Sequence, residues 1–242
     1  MDSKQRYIRE AGIILAEIYE DFRDKGMLSI YLWGSVTRDD WRADISDIDA
    51  IAIVDKTIDL DARKVINQRL KDRFPYDLKL GLQFYGIEEL NVGETYTLLA
   101  KYQPAGYLLL RFGDWIHVAG RRYQRSDFTA VDFTPAEARK HQLNQAIRAL
   151  KIVSGELPTD QGRHGIGSMV EDVVKGTLGA LYWEAVESGN TDEGLNYDTL
   201  PNIVSSKRAK LAERLVAIRQ QKLYTPEAVL PLRAEIQGLA VS

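Results

Sequence analysis

Apolar positions recur at helical spacing from about Ser3 to Arg23, where Ile8, Ala11, Ile14, Leu15, Ile18 and Phe22 form one stripe, so an amphipathic helix is expected to end near Gly26. Met27 to Trp33 then loses the helical period and reads as a short buried strand. A charged loop follows, and Asp47 to Val54 forms a second apolar run entered through Asp47-Ile48-Asp49. Asp59 or Asp61 can cap a helix carrying Leu60, Val65, Ile66 and Leu70 as far as Phe74 and Pro75. Asp77 to Tyr85 alternates Leu78, Leu80, Leu82 and Phe84 against Asp77, Lys79, Gly81 and Gln83, the period of a strand with one face inward. Leu108 to Arg111, the turn Gly113-Asp114 and Trp115 to Ala119 read as a hairpin, or as a helix end followed by a closing strand.

The pattern changes after the polar stretch from Arg121 to Phe133. Thr134-Pro135-Ala136-Glu137 combines an N-cap, a proline at the first helical position and a capping-box glutamate, and Leu143, Ile147 and Leu150 follow at helical spacing. After a loop from Gly155 to Gly167, Ser168-Met169-Val170-Glu171 is a second capping-box pattern, leading into Val170, Val173, Val174, Leu178, Leu181, Tyr182 and Ala185. Leu211, Leu215 and Ile218 mark a third helix, and Thr225-Pro226-Glu227 begins a fourth with Leu232, Ile236 and Leu239. The expected fold class is therefore an α/β (α+β) N-terminal domain, residues 1–121, with a sheet flanked by helices, then a linker over 122–133 and an all-α helical bundle over 134–242.

Composition narrows the chemistry. The 242 residues carry a net charge of -3 with Lys and Arg dispersed, which argues against a nucleic-acid coat. With no cysteine, disulfides, thiolate metal sites and cysteine nucleophiles are excluded. The absence of a leader-like or membrane-length apolar run predicts a cytoplasmic protein with no membrane partner. Oligomeric state is left open.

The unusual feature is a pair of carboxylates at the mouth of an apolar strand. Residues two apart on a strand share a face, so Asp47 and Asp49 would project together with backbones roughly 6–7 Å apart. Their repulsion is relieved by a proton or by a divalent cation, and Mg²⁺ takes a few carboxylates together with substrate phosphates. A third carboxylate from a neighbouring strand would allow a two-metal site, and Asp77 is the candidate. Gly34-Ser35, after the first strand, supplies the complement: backbone amides that a phosphate can approach and a hydroxyl. The simple alternative is strand-end capping at the acidic pair and a plain turn at the glycine.

Gly34-Ser35, with eleven residues between Ser35 and Asp47, then Asp47-Ile48-Asp49 set between apolar strands, resembles the signature of the DNA polymerase β-like nucleotidyltransferase superfamily. The resemblance covers about the first 120 residues, and the helical half is similar in architecture to the C-terminal domain of aminoglycoside (kanamycin-type) nucleotidyltransferases. It implies a mixed sheet and transfer of a nucleoside monophosphate, expected to be AMP from ATP, to an acceptor hydroxyl with release of pyrophosphate. Asp47, Asp49 and Asp77 would be the catalytic and metal-binding residues, with Mg²⁺ in a two-metal arrangement. Gly34, Ser35, Arg38 and Lys79 would contact the nucleotide, Lys79 having structural neutralisation of Asp77 as its other reading. The acceptor is expected to be a small molecule such as an aminoglycoside; RNA ends, a protein partner and an inactive nucleotide-binding module are the alternatives. Asp39 departs from the glycine that often follows the arginine in small relatives.

Glu171 is the acceptor-side candidate in the helical half, although a capping role after Ser168 is the favoured account of it. Arg163-His164 reads as a solvated loop and Gly165-Ile166-Gly167 lacks the strand and third glycine of a dinucleotide loop. Arg111 and His117, spaced like an arginine–histidine ribonuclease motif, fall in strand-and-turn sequence. Trp41, on the loop between the motifs, is expected to pack, or to stack on a substrate.

Overall fold

Apolar residues on both faces of one strand organise the N-terminal half. The computed structural model describes residues 3–39, 41–42, 46–55, 58–74, 80–92, 103–158, 165–191 and 194–240. These fall into two compact units, Met1–Asp132 and Phe133–Ser242. In the first, helix α1 (Ser3–Phe22) continues as a 3-10 turn to Lys25 and is stopped by Gly26, whose φ of 99° is the left-handed C-cap conformation. Strand β1 (Met27–Trp33) follows directly. Strand β2 spans Ile48–Val54, one residue shorter than expected, so Asp47 precedes the ladder. Helix α2 (Leu60–Arg73) is capped by Asp59, whose carboxylate accepts from Ala62 N at 2.7 Å. Strand β3 is Leu80–Gly86.

The sheet order is β3-β2-β1-β4, where β4 is Ile116–Gly120. β1 runs antiparallel to both β2 and β4, while β2 and β3 are parallel, so the sheet is mixed. One face of β2, with Ile48, Ala50, Ala52 and Val54, packs under Ile14, Leu15 and Ile18 of α1 and Ile66 and Leu70 of α2. The other face presents Ile51 and Ile53 to a second core with Tyr31, Tyr85, Leu108 and Trp115. Burial on both faces is why β2 is apolar at every position after Asp49.

The second core is closed by segments whose pattern is ambiguous in sequence. Short helices α3 (Glu89–Val92) and α4 (Ala105–Leu110) sit between β3 and β4, so Leu108 to Leu110 belongs to a helix and not to a hairpin strand. Ala105 to Leu109 is entirely buried, and that leaves no periodicity to read. The stretch 122–133, read as a linker, contributes Tyr123, Phe128 and Ala130 to this core. Arg125 fastens it, donating to the carbonyls of Phe128 (2.8 Å) and Ala130 (2.5 Å) and to Asp132 (2.9 Å). Tyr123 N donates to the buried Tyr31 hydroxyl at 2.7 Å.

The second unit is helical. Helix α5 (Pro135–Val153) has the expected capping box, Thr134 N and Glu137 Oε2 at 2.8 Å and the reciprocal bond at 3.3 Å. Helix α6 (Ile166–Glu187) starts earlier than its sequence suggests: Gly165 is its N-cap, and Ser168 lies inside the first turn with its N–H on Gly165 O. The expected Ser168–Glu171 capping box is therefore corrected. α5 and α6 pack closely where α6 has no side chains, since a Cβ on Gly176 would stand 3.0 Å from Gln142 O and 3.1 Å from Ala146 Cβ. Helices α7 (Leu200–Ile203) and α8 (Ser206–Gln220) complete the middle of the unit. There the fully buried Arg219 faces Asp198 at 3.5 Å and the Tyr197 ring at 5.3 Å. The single fourth helix expected from Thr225 onward is instead α9 (Pro226–Val229), a 3-10 turn and α10 (Arg233–Gly238). Pro231, which has no N–H to give, falls at that break. Among the described residues, no helix is long and apolar enough to cross a membrane.

Gly120 anchors β4 to β1 with a φ of 83°, and a Cβ there would collide with Leu28 O and stand 2.6 Å from Tyr19 Cε2. Gly120→Ala is expected to destabilise the first unit by roughly 3 kcal/mol in urea denaturation, through overpacking and left-handed strain together. In the second unit the Glu137 carboxyl is held below its ordinary value of 4.5 by the Thr134 N–H and then by the Thr134 hydroxyl. A depressed carboxyl contributes stability that is present above its unfolded value and lost as pH falls through the folded one. Glu137→Gln should therefore melt slightly below the wild type at pH 7, with the gap closing under pH 4.5; a gap independent of pH would contradict this.

Candidate active site

The site is built where β1 ends and β2 begins. Antiparallel pairing sets Trp33 opposite Asp49, and directly paired residues share a face of the sheet. The chain leaves β1 through Gly34, whose φ of 78° turns it into a four-residue 3-10 turn, Gly34–Thr37. The absence of a side chain at 34 has a second use: a Cβ there would stand 3.0 Å from Asp49 Oδ2 and 3.5 Å from its Cβ. Gly34 thus lies against the Asp49 carboxylate, and the glycine of one motif touches an aspartate of the other.

The turn after Gly34 is a fixed piece of backbone. Thr37 Oγ1 donates to Gly34 O at 2.9 Å and Arg38 N to Ser35 O at 2.9 Å. Lys4 of α1 reaches over to donate to Arg38 O at 2.6 Å. Ser35 and Arg38 are half-buried at the start and end of this turn. It is a 3-10 turn and not the start of an α-helix, so any anion here would meet local amides without a helix dipole behind them. Further along, Ser46 is buried; its N–H bonds Arg42 O at 2.8 Å and its hydroxyl accepts from Arg42 N at 3.3 Å. These two bonds fix Ser46 immediately before Asp47. Trp41 is buried in the core, its ring 5.5 Å from Tyr7 of α1, so it packs and offers no stacking surface.

Asp47 is exposed, Ile48 is fully buried, and Asp49 is half-buried. That alternation is what the sequence predicts for two carboxylates at the open end of a strand. Their oxygens are hard anionic donors of the kind Mg²⁺ takes beside phosphate, and Gly34 leaves a side-chain-free cradle next to Asp49; the residues present fit a divalent cation. Among the described residues, no group of three metal-ligating side chains forms. Asp77 and Lys79 lie outside the described residues, as do Asp40, Arg163 and His164. Glu171 belongs to the second unit, on α6, and pairs with Lys175 one turn on at 2.6 Å. Its local role is that ion pair.

Two further sequence candidates have structural partners. Arg111 Nη2 and Nε both donate to Asp114 Oδ2 (2.5 and 3.0 Å), and His117, on β4, has Nε2 3.1 Å from Gly120 O and its ring against Tyr31. One neighbour of the acidic pair went unnoticed in sequence: the parallel pairing of β2 with β3 puts Gly81 beside Asp49. Only the register reveals it, because in the alternating pattern Gly81 is merely one more non-apolar position.

No protein-family model matches this chain, and no curated protein sequence is significantly similar to it. Among solved structures it resembles spectinomycin adenyltransferase from Enterococcus faecialis, determined with ATP and spectinomycin. The likeness covers 96% of this chain and 99% of that one, with a TM-score of 0.57 and 11% sequence identity. The mixed four-stranded sheet, its helices and the helical C-terminal unit are matched together, and the chain has the fold of that nucleotidyltransferase.

Proposed function

We propose that the protein is a Mg²⁺-dependent nucleotidyltransferase that moves AMP from ATP to a hydroxyl of a small-molecule acceptor and releases pyrophosphate. The observation that carries this reading is the contact between Gly34 and Asp49 within a chain whose fold follows an adenyltransferase from end to end. A fold alone hosts many activities. Here the acidic strand mouth and the glycine-serine turn lie together within it, and they are the two halves a triphosphate site needs.

In the proposed reaction the acceptor oxygen attacks the α-phosphorus of ATP. The new P–O bond forms as the bond to the bridging oxygen of the β-phosphate breaks, and pyrophosphate leaves with that electron pair. Asp47 and Asp49 would hold the cation, which when bound neutralises phosphate charge and aligns the attacking and leaving oxygens. Gly34 and Ser35 keep bulky side chains away from the phosphates and present the turn's amides and hydroxyl to them. Asp77 is assigned the acceptor's proton, a role that geometry must satisfy before basicity. Arg38 and Lys79 are assigned to phosphate charge. The dispersed charge, net -3, favours a small acceptor over RNA, whose tracking needs concentrated cations.

Two experiments test this reading. Asp47→Ala and Asp49→Ala should each lower nucleotidyl transfer about 10³-fold or more, as expected for losing several kcal/mol of charge stabilisation, while leaving the thermal midpoint near the wild type. Full turnover in the double variant would sink the proposal. Incubation of the protein with α-labelled ATP and a panel of aminocyclitol and aminoglycoside drugs, tRNA and cell protein should place label on a small molecule; label on tRNA or protein instead would overturn the acceptor class.

A further inference from the structure

At the level of Asp49 the sheet carries a row of three residues on one face: Gly81 on β3, Asp49 on β2 and Trp33 on β1. The two flanks of the carboxylate are unequal. On the β1 side stand Trp33, paired with Asp49 across the ladder, and Gly34, against Oδ2. On the β3 side the position level with Asp49 is Gly81, which has no side chain. A Cβ built at Gly81 would stand 3.8 Å from Asp49 Oδ1, and among the described residues that oxygen is all it would meet within 4 Å.

The glycine needs a reason. A glycine inside a strand weakens it, through lost backbone entropy and a missing packing group, and tends to mark a place where something approaches the backbone closely. The usual structural reasons are absent here. The φ of Gly81 is outside the left-handed region, unlike those of Gly34 and Gly120, so any residue could adopt the backbone. Among the described residues an alanine Cβ would make ordinary contact only, so their packing does not exclude a methyl group. The ladder is continuous through it from Ile48↔Leu80 to Val54↔Gly86, with no bulge. What a larger side chain at 81 would change is access to Asp49 Oδ1.

We propose that Gly81 is a positioning residue for the metal site: it keeps the β3 flank of Asp49 open, so that a divalent cation and its remaining ligands reach Oδ1 over the bare backbone of β3. This rests on the metal-dependent reading of the same site. The carboxylate then meets the close wall of Gly34 on its Oδ2 side, while Gly81 adds no side chain beside Oδ1. A β-branched residue at 81 would suit the strand and spoil the site, because its methyl groups would crowd the space where ligands of the cation must lie.

The test separates these two effects in the full-length protein with Mn²⁺ alone as probe, read by calorimetry and by the paramagnetic resonance signal of free Mn²⁺. The series Gly81→Ala, Gly81→Ser and Gly81→Val should keep or raise the thermal midpoint, as strand propensity predicts, while Mn²⁺ affinity falls with side-chain size, by about tenfold or more for valine. Wild-type Mn²⁺ affinity in Gly81→Val overturns the proposal, and so does a series in which affinity follows the thermal midpoint rather than side-chain size. A wild type that binds no Mn²⁺ overturns it together with the metal-dependent reading. A wild type that binds Mn²⁺ but transfers no nucleotide, with affinity still falling along the series, sinks the transferase reading and leaves the role of Gly81 standing.

Discussion

The antiparallel register between β1 and β2 is the constraint on which the site depends. Pairing Trp33 with Asp49 is what brings Gly34, the next residue, against the carboxylate, although fourteen residues lie between 34 and 49 along the chain. A slip of one residue would turn Asp49 to the face that packs under α1 and α2 and send Ile48 into the open. Side-chain size and the burial of Asp49 oppose that slip, because Ile51 and Ile53 would be forced into the core that Ala50 and Ala52 fit. Hydrophobic burial thus fixes a polar geometry: the core sets the register, and the register sets the distance between glycine and aspartate.

The remaining elements of the first unit secure this arrangement from outside. Lys4 pins the turn that follows Gly34, and Trp41 anchors the connecting loop against Tyr7. Both attach the loop between the motifs to α1, a helix that carries none of the proposed chemistry. On the other face, Arg125 and the Tyr31–Tyr123 bond lock the stretch after β4 over the second core. Gly81 extends the same logic to the far side of Asp49, where the requirement is for space instead of contact.

The sequence was most legible where local chemistry and tertiary packing agree. β1, α2 with its Asp59 cap and α5 with its Thr134–Glu137 box lie where pattern and capping place them. It was least legible where packing overrides pattern. α4 is buried along almost its whole length and so shows no stripe, and the Ser168–Glu171 spacing imitates a cap although Gly165 already starts that helix. Pro231 breaks a periodic run that would otherwise read as one helix. For the proposed site, Asp47, Asp49 and Gly34 are candidates legible from spacing, since the motif is local to one β–loop–β segment. Gly81 could not, because its relation to Asp49 exists only through the pairing of β2 with β3. Asp77 lies outside the described residues, and Glu171 of the second unit pairs with Lys175.

The proposed cation and triphosphate site of Asp47 and Asp49 beside the Gly34-Ser35 turn requires metal-dependent nucleotide binding. It is tested most directly by titrating a nonhydrolysable ATP analogue into the wild type and into Asp49→Asn, each with Mg²⁺ and again with EDTA, by calorimetry. The account predicts binding to the wild type that is clearly tighter with Mg²⁺ and a metal effect that disappears in Asp49→Asn. Equal affinity with Mg²⁺ and EDTA in the wild type, or an undiminished metal effect in the variant, would contradict it.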